Sequence, residues 1–439
     1  MASVIKIYAL FLGSALLMFG GGLQGLLLSV RGAEEGFSLL ALGLIGTGWS
    51  VGFVAGSIGV PLIVRKVGHI RAFSVMAAIG TVTILLNLLF INDVSWIVLR
   101  ALSGFCFAGA AMIVESWLNE VADNKSRGTI FSVYVTINMA SSTIGQIAMS
   151  ITGTAGYVPF VIGAISFICA VLPTALTSSP QPKPLSSARI DLRLLYSTSP
   201  VAAIAAFSVG MANGAFGTLA PVYGYERGLD ASGIALLFSI AAILGAVGQI
   251  PLGRLSDRID RRIVLIGLAG LAALVGALTV IINPEAGWAM YVLFAAYGFA
   301  ANPIYAIAVA HANDFAREGD FAKIAGGMLL TLGTGLAIGP AVASMIMGAW
   351  SPVGLFVVTA IFHALLGVAA FLRMRIRKSI DAAERTPFQP MGNDKQQTLE
   401  SIVLDPRTEQ DDFVLPPDEP DVPEELAATG PATGEQRHV

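Results

Sequence analysis

Apolar stretches of about 20 residues or more recur twelve times along the chain, at 5–30, 39–62, 72–91, 95–118, 128–150, 157–177, 200–223, 231–252, 263–282, 287–311, 322–347 and 352–372. At 1.5 Å of rise per residue, about 20 residues cross a hydrocarbon core of about 30 Å. Lipid offers no water to unpaired backbone groups, so each crossing segment must satisfy its own hydrogen bonds as a helix. The pattern predicts an all-α membrane protein with twelve transmembrane helices. The first apolar run is too long for a signal-peptide core, and no small-residue cleavage site follows it, so it reads as a retained span.

The polar positions between the runs orient them. With the N-terminus inside, the inner connections hold 19 Lys and Arg residues and the outer ones hold two, Arg31 and Arg227. The positive-inside rule then places both termini in the cytoplasm. The longest internal connection, Ser178 to Ser199, is rich in Pro and Ser. It divides the membrane part into an N-terminal six-helix bundle (1–178) and a C-terminal one (199–373), joined by a cytoplasmic central loop (179–198). Residues 374–439 are polar, acidic and without helical period, and read as a disordered cytoplasmic tail.

Composition agrees with the pattern. Hydrophobic residues make up 55% and charged residues 13%, against about 25% charged in soluble domains, and mean hydropathy is +0.74. The net charge of −3 averages two regimes. Residues 1–379 carry 22 of the 26 Lys/Arg and 15 of the 29 Asp/Glu; the last 60 carry 4 and 14. No basic cluster interleaved with aromatics marks a nucleic-acid site. Cys106 and Cys169 fall inside apolar runs, so neither a metal cluster nor a disulfide framework is expected, and no cofactor is implied. No Gly-x-x-x-x-Gly-Lys-Ser/Thr loop occurs, which argues against ATP as the energy source.

The halves look like repeats. Span two ends GSIGVPLIVRKVGHIR (56–71) and span eight ends GAVGQIPLGRLSDRIDRR (245–262). With Pro61 aligned on Gly253, each helix runs into a basic turn. Spans five and eleven also correspond, each small-residue rich and each following a charged inner loop. Parallel repeats about an axis along the membrane normal mark one large class of secondary transporter.

The two pseudo-symmetric six-helix halves, the long central loop and the turn formed by Gly253, Asp257, Arg258, Arg261 and Arg262 resemble the major facilitator superfamily over about residues 5–373. That family's loop signature is Gly-x-x-x-Asp-Arg-x-Gly-Arg-Arg; Asp260 stands here at its second Gly. In the first copy Pro61 replaces the first Gly and Arg65 replaces the Asp. The run Ile113-Val-Glu-Ser-Trp-Leu-Asn119, with Arg127-Gly128, Gly145-Gln146, Gly248-Gln249 and Gly339-Pro340, resembles the YcaD-like branch. The resemblance implies alternating access, with the loop Asp and Arg latching the halves in one conformation. By repeat symmetry, Asp257 is expected to accept from the N-terminus of span five, near Arg127 and Gly128, where the helix dipole favours an anion. Some broadly similar bacterial carriers are linked to riboflavin uptake, which names one candidate solute.

Several residues carry candidate chemistry. Glu115 is the carboxylate placed well within a span, and an intramembrane carboxylate is a functional candidate by default. It lies on nearly the same helix side as Arg100, about 22 Å away, and the two are read as a candidate proton-coupling pair. The alternatives are an inner-turn anchor for Glu115 and a snorkelling, interfacial Arg100. The family fold lines its cavity chiefly with spans one, four, seven and ten. Gln24, Asn213, Phe216, Asn302 and Tyr305, with Asn138 on a flanking span, are therefore the candidate substrate contacts. Tyr223, Tyr297, Gln146 and Gln249 are secondary candidates; each of these polar groups could instead make a helix–helix hydrogen bond. Amides and phenols suit a neutral or aromatic solute. His311 and His363 read as structural, and the Gly335–Gly339 pair before Pro340 permits close packing and a bend. The expectation is a monomeric, multi-pass carrier of the bacterial inner membrane moving a small organic solute, probed against two alternatives: an efflux carrier and a transport-dead sensor or scaffold. No nucleophile–base pair or metal cluster supports an enzyme.

Overall fold

The structure, a computed structural model, describes residues 2–122, 126–175, 190–317, 319–381, 384–392, 398 and 400. Among the described residues all regular structure is helical. The elements are α1 (Ala2–Glu34), α2 (Leu39–Val67), α3 (His69–Leu89), α4 (Asp93–Val121), α5 (Arg127–Thr152), α6 (Val158–Cys169), α7 (Val171–Ala175), α8 (Leu192–Thr198), α9 (Pro200–Glu226), α10 (Ala231–Arg258), α11 (Arg261–Ile282), α12 (Trp288–Asp314), α13 (Phe321–Ala349) and α14 (Gly354–Ile376). Ten of these are long and apolar enough to cross a membrane. Helix α5 is long, but its Ser, Thr, Asn and Gln positions dilute it.

Local chemistry sets the boundaries. Ser38, Asn92, Asp191, Ser199, Asp230 and Asp260 each cap the helix that follows by accepting from a backbone N–H of its first turn, satisfying donors that have no partner within the helix. The α2–α3 junction is a single residue, Gly68, at φ 83°, a conformation open to Gly because it lacks a Cβ. The expected sixth span is broken at Ala170 into α6 and α7. Pro173 has no N–H to offer the Cys169 carbonyl, and its ring crowds that position. The end of the expected central loop is also helical, as α8. The charged turn is shorter than its motif: α10 runs through Gly253 and Asp257 to Arg258, leaving Ile259 and Asp260 as the link to α11.

Two groups of helices pack in the same order. The first helix of each lies on the fifth (α1 on α5, α9 on α13), the second on the fourth (α2 on α4, α10 on α12), and the third on the sixth (α3 on α6, α11 on α14). Small residues allow this closeness. A Cβ added at Gly52 would sit 1.8 Å from the Ala101 carbonyl oxygen, and one at Gly104 would sit 2.2 Å from that of Trp49. In the second group the same close approach occurs at Gly210, 2.3 Å from the Leu332 oxygen, and at Gly339, 2.2 Å from that of Met211.

The groups meet unequally at their two ends. At the face away from the basic turns they share one core, in which Leu28, Trp49 and Trp96 belong with Leu219, Tyr223, Phe294, Met347 and Phe356. There the Thr47 hydroxyl donates to the Ala337 carbonyl at 2.7 Å. Toward the basic face the second group has a separate core, built around Val209, Leu268, Ile307, Leu332 and Leu366.

Candidate functional site

Between the groups lies a cavity of about 170 Å³ lined from α1, α2, α4, α5, α9, α10 and α12. Its floor on one side is glycine: Gly21, Gly22 and Gly25 of α1. Arg100 and Trp49 face it from the first group, and Phe216, Phe238 and Tyr297 from the second. Phe216 and Tyr297 stack with centroids 4.5 Å apart. Arg100 is 8% exposed. Its Nη1 donates to the Gln24 Oε1 at 3.1 Å, and its guanidinium lies 5.7 Å from the Trp49 ring centroid, close enough for a cation–π contact.

Of the residues expected at the cavity, Asn213, Phe216 and Asn302 line it, as do Gln146 and Tyr297; Gln24 is buried outside the lining and meets the cavity only through its bond to Arg100. Asn302 lies against α10 at Gly245, where an added Cβ would come within 1.8 Å of its Nδ2. Asn138 and Tyr305 do not line the cavity. Asn138 is buried and accepts from the Ser14 hydroxyl at 2.7 Å, while Tyr305 packs in the core of the second group. Tyr223 points away and donates to the Pro284 carbonyl at 3.3 Å. Arg100 is not a snorkelling residue: it is buried and turned inward. Trp49 had no signal in the sequence, since an aromatic within an apolar run looks like core.

Glu115 is fully buried and lies outside the cavity lining. It accepts from the Tyr134 hydroxyl at 2.7 Å and from the Thr398 hydroxyl. The second contact comes from the segment expected to be a disordered tail, and the described part of that segment corrects the expectation. Leaving α14, the chain returns along the basic face. Thr386 donates its N–H (3.1 Å) and hydroxyl (2.8 Å) to Asp314. The Phe388 N–H donates to Asp257 at 3.1 Å. Met391 exchanges two backbone bonds with the Gln249 amide, both 3.1 Å. The Glu400 carbonyl accepts from Asn119 of α4 at 3.3 Å. The segment thus begins on the second group and reaches the first. Residues 382–383, 393–397, 399 and 401–439 of the expected tail lie outside the described residues.

The charged motif forms a knot beneath these contacts. Arg261, 1% exposed, pairs with Asp314 at 2.7 Å and Asp257 at 3.0 Å, donates to the Ser256 hydroxyl at 2.9 Å and to the Thr386 carbonyl. Arg262 pairs with Asp260 at 2.7 Å and donates to the Arg377 carbonyl at 2.7 Å. Burial pushes the Asp260 carboxyl up, but the hydrogen bonds and charge of Arg262 outweigh it and hold the group below its ordinary value. Arg258 is exposed. Asp257 therefore differs from the expectation: its backbone donor is Phe388, not the start of α5. Where the groups part at this face, the returning chain supplies the nearer N–H. Gly253 makes room for it, since an added Cβ would sit 2.2 Å from the Phe388 ring.

Paired helical groups around a central cavity, joined at one face and parted at the other, fit a multi-pass membrane transporter of small-molecule solutes, the class of the relatives that follow. The sequence model of the Major Facilitator Superfamily matches residues 10–231 and 202–408, and the chain belongs to that superfamily. It is 24% identical over 332 residues to the uncharacterized MFS-type transporter YcaD of Escherichia fergusonii, covering 75% of this chain and 85% of the relative. The Shigella flexneri protein of the same name is 23% identical over equal coverage. Among solved structures, a mutant form of the nucleoside transporter NupG superposes with a TM-score of 0.70 at 13% identity, covering 84% of this chain and 99% of that one. A bacterial homologue of the human lysosomal transporter Spinster, in an inward-facing and occupied conformation, gives 0.65 at 16% identity, covering 87% and 97%.

Proposed function

We propose that this chain is a secondary carrier with twelve spans and both termini in the cytoplasm of a bacterium, moving a small organic solute across the inner membrane by alternating access. The observation that carries the reading is the unequal join of the two groups around the cavity. A single core closes one end, and separate cores flank the other, as a rocking carrier caught open toward its basic face would have. The carrier works as a monomer, its six-plus-six organisation follows the boundaries 1–178 and 199–373, and it draws on an ion gradient without ATP.

Glu115 is the proposed proton site. A buried carboxylate held by two hydroxyl donors can take up a proton without leaving a charge in lipid. Glu115→Gln in proteoliposomes tests this: uptake of the wild-type solute should lose its dependence on a pH gradient. Unchanged pH dependence would return the carrier to facilitated diffusion. Cysteines placed at Arg258 and Glu226 should label from opposite sides of the membrane; labelling from one side would remove the topology. Riboflavin belongs in the first panel of solutes, and flux direction in everted vesicles separates uptake from export.

A second reading draws on the returning chain. Its bonds to Asp257, Asp314 and Glu115 would also serve a sensor that reports through its tail. Truncation after Lys378 distinguishes the two, because a carrier keeps transporting and a sensor loses its output.

A further inference from the structure

Arg100 is a buried cation whose charge the described protein does not answer. No described carboxylate pairs with it, and among the described residues no Asp or Glu lines the cavity. Of its three nitrogens, Nη1 alone has a partner, the Gln24 Oε1. Nε is buried without one. Nε–H and one Nη2–H lie along the same edge of the guanidinium plane, the edge that matches the two oxygens of a carboxylate. Gln24 orients the opposite side and leaves that edge free.

Two buried amides are similarly incomplete: Gln24, which holds Arg100 from outside the lining, and Gln146, which lines the cavity. The Gln24 Nε2 is a buried donor without a partner, and the Gln146 Oε1 is a buried acceptor without one. Buried polar groups are normally satisfied, and exceptions concentrate at functional sites. A guanidinium within a span is costly unless paired or facing water. An anion entering the cavity would supply the missing charge. The aromatic walls extend away from this polar corner: Trp49 lies beside Arg100, and the Phe216–Tyr297 stack comes from the other group.

We propose that Arg100 is the counter-charge for the transported solute, which is an organic monocarboxylate with a planar or aromatic body. The carboxylate takes the Nε–Nη2 edge of Arg100, which Gln24 orients from behind the lining. The ring lies against Trp49 and the Phe216–Tyr297 stack, and Gln146 accepts from a hydroxyl or amine on the body. One unanswered positive charge selects a monoanion over a phosphate ester or dicarboxylate. The inference rests on the carrier reading for its transport step only.

The test uses the full-length purified protein and matched pairs of probes: phenylacetate and phenylacetamide, nicotinate and nicotinamide, indole-3-acetate and its amide, with riboflavin as a neutral planar control. Thermal unfolding reads binding, because a ligand stabilises by mass action. At least one carboxylate should raise the melting temperature while its amide does not. Arg100→Lys, which keeps the charge and loses the fork, should weaken that ligand by about tenfold or more, and Arg100→Gln should abolish the response. The inference is overturned if carboxylate and amide shift equally, if no carboxylate shifts the protein, or if Arg100→Gln keeps the response. The acid–amide comparison needs no variant, so a poorly folding substitution does not remove the test. Uptake into proteoliposomes is scored in parallel. Transport of riboflavin unaffected by Arg100→Lys would sink the inference and leave the carrier. Carboxylate binding at Arg100 with no flux of that ligand would sink the carrier and leave the site.

Discussion

The contact between Arg261 and Asp314 should be the most costly single bond to break on the basic face. Both side chains are nearly inaccessible, 1% and 3% exposed. Removing one partner of a buried ion pair costs about 3–5 kcal/mol, mainly because the survivor remains charged and unpaired. The cost here falls below that range. Arg261 would keep Asp257 at 3.0 Å, a carboxylate 32% exposed and therefore screened, so about 2–3 kcal/mol is expected for Asp314→Asn. Arg261→Met should cost a similar amount, since Asp314 would retain only the N–H and hydroxyl of Thr386. The double variant should recover part of the sum, with a coupling of about 1–3 kcal/mol. Equilibrium denaturant titration in detergent micelles measures all four proteins. Amide exchange supplies an independent readout, because Thr386 bonds to both members of the pair and its release should speed exchange through Phe388. Single variants costing under about 0.5 kcal/mol, the range of ordinary surface substitutions, or strictly additive energies, would refute the reasoning.

The other expectations concern space and charge. Gly253→Ala places a methyl 2.2 Å from the Phe388 ring, so it and Phe388→Ala should release the same segment to protease, and the two together no more than either alone; additive effects would deny the contact. Gly52→Ala and Gly104→Ala intrude on backbone carbonyls at 1.8 and 2.2 Å and should each cost about 1–3 kcal/mol by overpacking. Gly25→Ala, with nothing within 4 Å, should leave melting unchanged. Because the Asp260 carboxyl is held below its ordinary value by Arg262, its stabilisation is complete above the ordinary carboxylate range and is lost as pH falls through the lowered native value. The stability gap between wild type and Asp260→Asn should therefore stay constant from about pH 8 to 5 and close only below about pH 4; a gap that closes near neutrality would reverse the assignment.

Much of this architecture is written in single-residue patterns. Apolar runs of membrane-spanning length are visible because lipid tolerates nothing else, and Asp230, Asp260 and Ser199 announce helix starts because their side chains reach only a few residues ahead. What a pattern along the chain does not contain is which side of a helix meets which neighbour. Asn138 sits on an amphipathic helix and looked free to face the cavity, yet Ser14 on α1 claims it. Tyr305 lies one turn beyond Asn302 on α12, and the deeper position puts it in the core of its own group. Asp314 belongs to no motif that the sequence shows, although its charge sits on the most buried pair of the basic face. The returning segment was the hardest to see. Its anchors are backbone N–H groups at 386, 388 and 391, which no side-chain pattern encodes, and its composition alone reads as solvated chain.

The two copies of the charged turn explain why that segment returns to the second group first. In both, the first turn of the third helix reaches the last turns of the fourth. In the second copy this is Arg261 on Asp314. In the first it is His69, whose Nε2 is 3.3 Å from the Ser116 hydroxyl; the alignment that sets Pro61 on Gly253 also sets His69 on Arg261. The place is kept and the charge is not. The first copy has Arg65 where the second has Asp257, so it offers no carboxylate oxygen to a passing backbone N–H. The second copy offers two acids, each with acceptor capacity beyond the arginine it binds, and Thr386 and Phe388 use that capacity. It also has Gly253, which leaves a hollow for the Phe388 ring, where Pro61 would fill it. Docking at the second copy therefore follows from two local differences, an acid in place of a base and a glycine in place of a proline. Moving both into the first copy, as Pro61→Gly with Arg65→Asp, should create a competing site and loosen the segment from Asp257, read as faster exchange at the Phe388 amide; unchanged exchange would mean that something other than these two residues chooses the docking side.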